Sequence, residues 1–250
     1  MVTVSVISHM HCSQIMGLLK KIDLLCVKHV RHVVLTVNVP EPELEFALQS
    51  MGFNFFLTVV FNSKPKGFGE NHNAAFRISK SEYFCVINPD IEFSSDPFSV
   101  LIFGFTGARV GCSFPVQVDE NGEIQDYARR LPSPLAIFTR YTFPKKRRLF
   151  CEKPDWVNGA FMVFSREVFA QLRGFDERYF MYCEDVDICI RLTAAGYRLC
   201  QTDVVVTHLA HRDSRVKWRH LLWHVRSLVR LWFSGPYWRF TRTGSSERII

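Results

Sequence analysis

Between Val2 and Asp90 the chain alternates short β-branched apolar runs with helix-length stretches, and this alternation constrains the fold more than any other feature. Val2–Ile7, Val30–Val37, Phe53–Phe61 and Tyr83–Ile87 read as strands. Between them Ile15–Val27, Glu43–Met51 and about Glu70–Ser79 read as helices, the first with Leu18, Leu19, Ile22 and Leu25 on one side. Such alternation predicts βαβ units, a parallel sheet and an α/β fold. Ligands of these sheets bind beyond the carboxyl ends of the strands. Ser8, His9, Asn38, Asn62 and Asp90 all fall there, so polar residues collect where a site belongs.

Two loops at that edge suggest chemistry. Gly67-Phe68-Gly69 precedes a helix, and two glycines there permit close backbone approach to a phosphate, with an ordinary tight turn as the plainer alternative. Lys64, Lys66 and Asn73, one turn into the helix, favour an anion. In Asn88-Pro89-Asp90, Pro89 cannot continue a central strand, so the chain turns and exposes Asp90. An Asp in that place is commonly a turn former. Beside a phosphate loop it is a candidate Mg²⁺ or Mn²⁺ ligand, because hard cations take carboxylate oxygens and bridge to diphosphates. His208, at the end of the strand-like run Leu199–Thr207, is the partner expected if Asp90 holds a metal; His211 follows it.

The pattern changes after Pro97. Val110–Val118 and Glu123–Tyr127 read as strands joined by a turn at Asp119–Gly122, and Asp155–Phe164 as a later strand. The stretch Arg129–Asp155, with four prolines and the basic run Lys145–Arg148, reads as a mobile loop or lid. The segment Gly174–Leu192 then packs acids and aromatics together and runs into a helix that Gly196 stops. On that helix Asp187 and Arg191 are spaced as an i,i+4 ion pair, whereas Asp185 heads an apolar stripe of Ile188, Cys189 and Leu192. Burial would raise the pKa of Asp185 and the helix N-terminus would lower it. That setting suits a general base, against the simpler reading of a capped, solvated helix start.

A chain of 250 residues fits one large domain with an appendage, and a formal charge of +7 points to an anionic partner. Eight scattered Cys without a CxxC pair read as reduced core residues. The chain begins directly on a strand-like run with no signal-like segment and has no apolar run of bilayer-spanning length, so a cytoplasmic protein is expected. From Ser214 to Trp232 the residues Trp218, Leu221, Leu222, Val225, Leu228, Val229 and Trp232 fall on one helical face. No Asp or Glu occurs between Asp213 and Glu247, while seven arginines and lysines from Arg215 to Arg242 supply positive charge. The tail is either a terminal helix packed on the domain or an interfacial helix on an anionic membrane.

The order and spacing of these residues resemble the inverting family 2 glycosyltransferases of GT-A type, nearest to bacterial rhamnosyltransferase-like members that build O-antigen or other cell-surface glycans. The resemblance covers roughly residues 3 to 230 and rests on the opening strand, Gly67-Phe68-Gly69 with Asn73, Asn88-Pro89-Asp90, Asp155-Trp156 with Gly159, and Gly174-Phe175-Asp176-Glu177 followed by Glu184-Asp185-Val186-Asp187. It implies a Rossmann-like mixed sheet flanked by helices, with residues 1–95 as nucleotide-binding half, 96–213 as acceptor-side half and 214–250 as a basic amphipathic tail. It implies that Asp90 binds metal and diphosphate, that Asp185 is the base, and that His208 completes the metal site. Asn88 stands where many members have the first acid of DxD; its oxygen can ligate but carries no charge.

The implied reaction is a single displacement. Asp185 takes a proton from an acceptor hydroxyl, which attacks the anomeric carbon opposite the nucleotide, while cation-bound Asp90 neutralises the departing diphosphate. Ser8 and Asn38 are expected at the nucleoside, Arg129 at the diphosphate, and Trp156, Asn158 and Glu184 on the acceptor side. The implied partners are a nucleotide-diphosphate sugar such as dTDP-rhamnose, a glycan or polyprenyl-diphosphate-linked acceptor, and an anionic membrane surface on the inner face of the cell membrane. No nucleic acid is expected. One rival is a nucleotidyltransferase, but Ser8–Cys12 lacks the Gly-rich basic signature usual after its first strand. The other, a non-catalytic basic binding module, leaves Asp90 and Asp185 idle.

Overall fold

The structure, a computed structural model, describes residues 1–131, 153–209 and 218–246. The four expected strands form as β1 (Val2–Ser8), β2 (Val30–Val37), β3 (Phe56–Phe61) and β4 (Tyr83–Ile87). They pair in parallel in the spatial order β3-β2-β1-β4. The crossovers are α1 (Cys12–Leu25), α2 (Pro42–Gln49) and α3 (Phe68–Ile78). Val2, Val4 and Val6 share one core cluster with Ile15, Leu19 and Ile22 of α1. Ser5 points to the other face, where its Oγ meets His72 Nδ1 of α3 at 2.8 Å. With helices on both faces, a strand can be apolar almost throughout, which is how β1 reads.

The second half adds β5 (Ile91–Glu92), β6 (Val110–Val118), β7 (Ala128–Arg129), β8 (Trp156–Val157), β9 (Phe161–Ser165) and β10 (Arg198–His208). β9 runs antiparallel between β4 and β6, β10 lies parallel to β6, and β5 closes antiparallel on β10. Among the described residues the result is an eight-stranded mixed sheet in the order β3-β2-β1-β4-β9-β6-β10-β5, with β7 and β8 pairing apart from it. The helices here are α4 (Phe98–Phe103), α5 (Arg166–Gln171), α6 (Glu184–Ala194), α7 (Trp218–Trp232) and α8 (Gly235–Ser246).

Two expectations for this half fail. Glu123–Tyr127 is not a strand: only the bridge Val118–Ile124 forms, because the Asp119 carboxylate accepts the N–H groups of Asn121 and Glu123 at 2.9 and 3.0 Å and curls the chain. Asp155–Phe164 is two strands separated by the turn Asn158-Gly159-Ala160. The lid reading falls largely, and the basic run Lys145–Arg148 and His211 entirely, outside the described residues.

The tail packs on the domain, as one of its two expected readings had it, and leaves an apolar stripe exposed. Leu228 and Leu231 of α7 and Tyr237 and Phe240 of α8 join the core cluster that holds Ile188, Cys189 and Leu192 of α6. Leu228 therefore does not share the outer face, as its spacing suggested. Trp218, Leu221, Leu222, Val225, Val229 and Phe233 point to solvent, from 45% exposed at Val229 to 82% at Phe233. The described cysteines are free, most of them buried among apolar neighbours, as read.

Candidate active site

The strand ends do converge on one edge, and the turn Asn158-Gly159-Ala160 ties it together. Asn88 N–H donates to Ala160 O at 2.8 Å. Gly159 N–H donates to Asp185 Oδ2 at 3.3 Å. The exit of β4 and the start of α6 are thus anchored on adjacent residues. A side chain at Gly159 would sit 3.0 Å from the Phe68 ring and 3.9 Å from Asp185 Cβ, so this glycine lets α3, the turn and the base meet.

Asp185 is half-buried in the first turn of α6, its Oδ1 accepting Val186 N–H at 2.8 Å. Burial pushes its pKa up to about 6, against the pull of those backbone N–H groups and of the Arg129 charge. Glu184 is fully enclosed, and burial together with the neighbouring Asp185 charge raises its pKa well above the usual carboxylate range. Its Oε2 has no hydrogen-bond partner among the described residues. Burial thus raises both adjacent carboxyls, and the Asp185 charge raises Glu184 further. Asp187 differs from both. Arg191 Nε binds its Oδ2 at 2.6 Å, and the rest of that guanidinium donates to Leu172 O and Gly174 O.

The metal candidates also meet. Asp90 Oδ2 and His208 Nε2 lie 3.5 Å apart. Gln125 holds the histidine from the far side, its Oε1 3.1 Å from Nδ1 and its Nε2 donating to His208 O at 2.6 Å. A proton on Nδ1 leaves the Nε2 lone pair facing a carboxylate oxygen, an arrangement that suits a cation between them. Adjacent ligands of an octahedral Mg²⁺ lie about 3 Å apart, close to the observed spacing. Among the described residues no cluster of three or more His, Cys, Asp or Glu forms. Two facing donors among the described residues would leave the other positions of a Mg²⁺ to diphosphate oxygens and water.

Several candidate donor-binding residues hold the scaffold instead. A side chain at Gly67 would strike Phe180 O at 2.7 Å and one at Gly69 would strike Phe175 Cβ at 2.7 Å. Phe68 N–H donates to Phe180 O at 3.0 Å, so that amide is already engaged. The two glycines thus serve packing of 175–180 on α3, the Phe68 amide is spent on that packing, and the plainer tight-turn alternative accounts for Gly67 and Gly69. Asn73 brackets Phe175, accepting its N–H and donating to its C=O, both at 2.9 Å. Asn38 is buried, its Oδ1 accepting from Asn62, Asn71 and Lys66 N–H and its Nδ2 donating to Lys66 O. Ser8 donates to Glu41 Oε2 at 2.9 Å, and Glu41 Oε1 takes Met10 N–H. All three are braces behind the nucleoside side of the edge.

The acceptor-side group divides similarly. Asn158 forms a two-bond amide pair with buried Gln117, at 2.8 and 3.0 Å, which fixes the turn rather than offering it to a sugar. Trp156 is nearly buried, its Nε1 donating to Arg130 O. Arg129 lies over the Trp156 ring at 5.3 Å and pairs with Asp126 at 2.8 Å, and its charge lowers the pKa of Asp185. Gln125, Gln117 and Glu41 escaped the sequence reading. A lone Gln or Glu in a loop carries no spacing signal.

Residues 40–173 match the family described as "Glycosyl transferase family 2". The chain belongs to that family. This glycosyltransferase is 32% identical over 185 residues to rhamnosyltransferase WbbL of Escherichia coli K12, an alignment covering 66% of this chain and 69% of that protein. It is 30% identical over 188 residues to the N-acetylglucosaminyl-diphospho-decaprenol L-rhamnosyltransferase of Mycobacterium tuberculosis H37Rv, covering 66% of this chain and 61% of that one. Among solved structures, the mannosyltransferase PcManGT of Pyrobaculum calidifontis, in complex with GDP-Man and Mn²⁺, superposes with a TM-score of 0.65 at 18% identity, covering 92% of this chain and 64% of that one. GalNAc-T7 with UDP, GalNAc and Mn²⁺ gives 0.63 at 17%, covering 83% and 42%. The fold is accordingly the GT-A type that the mixed sheet implied. Among the described residues no helix is long and apolar enough to cross a membrane.

Proposed function

We propose that this glycosyltransferase moves rhamnose from a nucleoside-diphosphate donor, dTDP-rhamnose, to a polyprenyl-diphosphate-linked glycan acceptor with inversion, in cell-surface polysaccharide synthesis. The observation that carries the reading is Asp185, held by Gly159 on the turn that also anchors the exit of β4 beside Asp90 and His208. Both rhamnosyltransferase relatives support the sugar, and the decaprenol-linked one supports the acceptor class.

Ionised Asp185 removes the proton from an acceptor hydroxyl, and the oxygen attacks the anomeric carbon from the face opposite the diphosphate. Buried Glu184 beside it resists carrying a second negative charge next to the incoming nucleophile, because burial and the Asp185 charge both raise its pKa. Asp90 and His208 would hold Mg²⁺ or Mn²⁺, which when bound would supply positive charge to the diphosphate. Gln125 keeps His208 turned toward Asp90, and the Val186 and Gly159 N–H groups, with the Arg129 charge, oppose the upward push of burial on the Asp185 pKa. Donor identity is tested by thermal shift with dTDP-rhamnose, UDP-GlcNAc and GDP-mannose, each with Mg²⁺, Mn²⁺ or chelator, since a ligand of the native state raises apparent stability. Metal-dependent stabilisation by dTDP-rhamnose alone, with an inverted product anomer by NMR, is the expected result. Preference for another donor overturns the sugar, and a retained anomer overturns the mechanism.

The tail supports a cytoplasmic, peripheral location. The outward stripe from Trp218 to Phe233 is apolar, and Arg226 and Arg230 fall beside it at helical spacing. That pattern fits a helix lying in an anionic leaflet, where a lipid-linked acceptor presents its sugar.

A further inference from the structure

The base is launched by an unusual piece of backbone. Tyr182 and Cys183 are consecutive non-glycine residues in the left-handed region, with φ of 70° and 66°, and Glu184 and Asp185 follow directly. Such conformations persist only where their surroundings over-determine them. Phe68 N–H takes Phe180 O from the side of α3. From the opposite side a set of contacts comes from α7. Buried Ser227 donates to Met181 O at 2.8 Å, Tyr182 Oη and His220 Nδ1 hydrogen-bond at 3.0 Å, and Trp223 packs on Phe180 with ring centroids 5.0 Å apart.

We infer that α7 positions the catalytic base: Ser227, His220 and Trp223 clamp the Phe180–Cys183 turn and so fix where Asp185 stands. The inference rests on Asp185 being the base, as proposed above. Ser227 and His220 act through the turn and are positioning residues. A terminal helix that merely covered the core would need apolar contacts on that face, not a hydroxyl donating to the carbonyl two residues before the cap.

Ser227→Ala and Tyr182→Phe each delete one hydrogen bond and preserve shape, and Ser227→Thr keeps the hydroxyl. With the full chain, kcat of Ser227→Ala should fall on the order of tenfold while the donor KM stays unchanged, and Ser227→Thr should restore it. Hydrogen exchange at the amides of residues 180–187 should accelerate in Ser227→Ala and Tyr182→Phe, with the amides of β1 unaffected. Unchanged kcat with unchanged exchange overturns the inference, as does a variant whose KM, kcat and melting temperature decline together, or a Thr variant no better than Ala. If the wild type transfers no sugar, the proposed reaction fails while exchange at 180–187 still decides the clamp.

Discussion

Replacing Asp185 by Asn should make the protein more stable and nearly inactive at once. The carboxylate rises from an ordinary 3.8 to about 6 because burial opposes its charge. A rise of that size corresponds to about 3 kcal/mol of resistance to ionisation in the folded state. Asp185 keeps some contact with water, so screening brings the expected gain from a neutral amide to roughly 1–2 kcal/mol. The sign follows from linkage. A carboxyl with a raised folded pKa carries more protons folded than unfolded between the two values, so its burden is absent below about pH 4 and complete above about pH 6. Asn keeps one oxygen, so it can accept from either Gly159 or Val186 but not both, and the lost hydrogen bond places the expected gain at the lower end of that range. Urea melts of both proteins at pH 4 and pH 7.5 measure the difference, which should be present at pH 7.5 and absent at pH 4. Turnover should fall by about 10²–10⁴, and wild-type kcat should rise with pH through about 6. An Asn variant less stable than wild type at pH 7.5, or equally shifted at both pH values, would falsify this account of the base.

Asp187→Asn should act through folding: its buried pair with Arg191, which also binds two carbonyls, makes a loss of about 3 kcal/mol the expectation in a denaturant melt. Residual activity per folded molecule should stay near wild type. Asp90→Ala should abolish metal-dependent donor binding and His208→Ala should reduce it less, both by calorimetry with and without chelator; equal, metal-stimulated binding in the Asp90 variant removes the site. Leu222→Glu with Val225→Glu should release the chain from anionic vesicles in co-sedimentation without changing its melting temperature, because both side chains are more than 45% exposed. Binding by the wild type should weaken with salt, each basic residue near the leaflet contributing about 1 kcal/mol. Wild-type protein that ignores anionic vesicles at low salt sinks the membrane reading.

The first half of the fold was legible because its signals are local. The runs Val2–Ile7 and Val30–Val37 must be buried on both sides, and Leu18, Leu19 and Ile22 declare the face of α1. The proposed base stood out for a related reason: Asp187 and Arg191 announce their pairing by spacing, which leaves Asp185 as the acid on the apolar stripe. What spacing could not show was depth. The same i,i+4 pair implies a weak surface contact on an isolated helix, yet Asp187 is 1% exposed and its partner is a hub. Nor can spacing tell a glycine that admits a ligand from one that admits another strand of the same chain. Gly67 and Gly69 belong to the second kind, and the residues that crowd them, Phe180 and Phe175, are more than a hundred positions away.

This distinction explains why so many polar residues at the strand ends turn out to be braces. An edge where four loops meet exposes backbone N–H and C=O groups that no sheet neighbour can satisfy, and buried groups of that kind need partners. Asn38 alone satisfies Lys66 N–H and Lys66 O and meets Asn62 and Asn71, closing the exits of β2 and β3 onto α3. Asn73 does the same for Phe175, and the Gln117–Asn158 pair for the turn that carries Gly159. With these amides engaged as braces, the proposed chemistry rests on Asp185, Asp90 and His208. α7 stands in the same relation to Asp185 that Gln125 has to His208, a support that never touches substrate. Because its other face carries the exposed apolar stripe, the helix that fixes the base is also the one a membrane would hold, and the two roles use different side chains of a single rigid element.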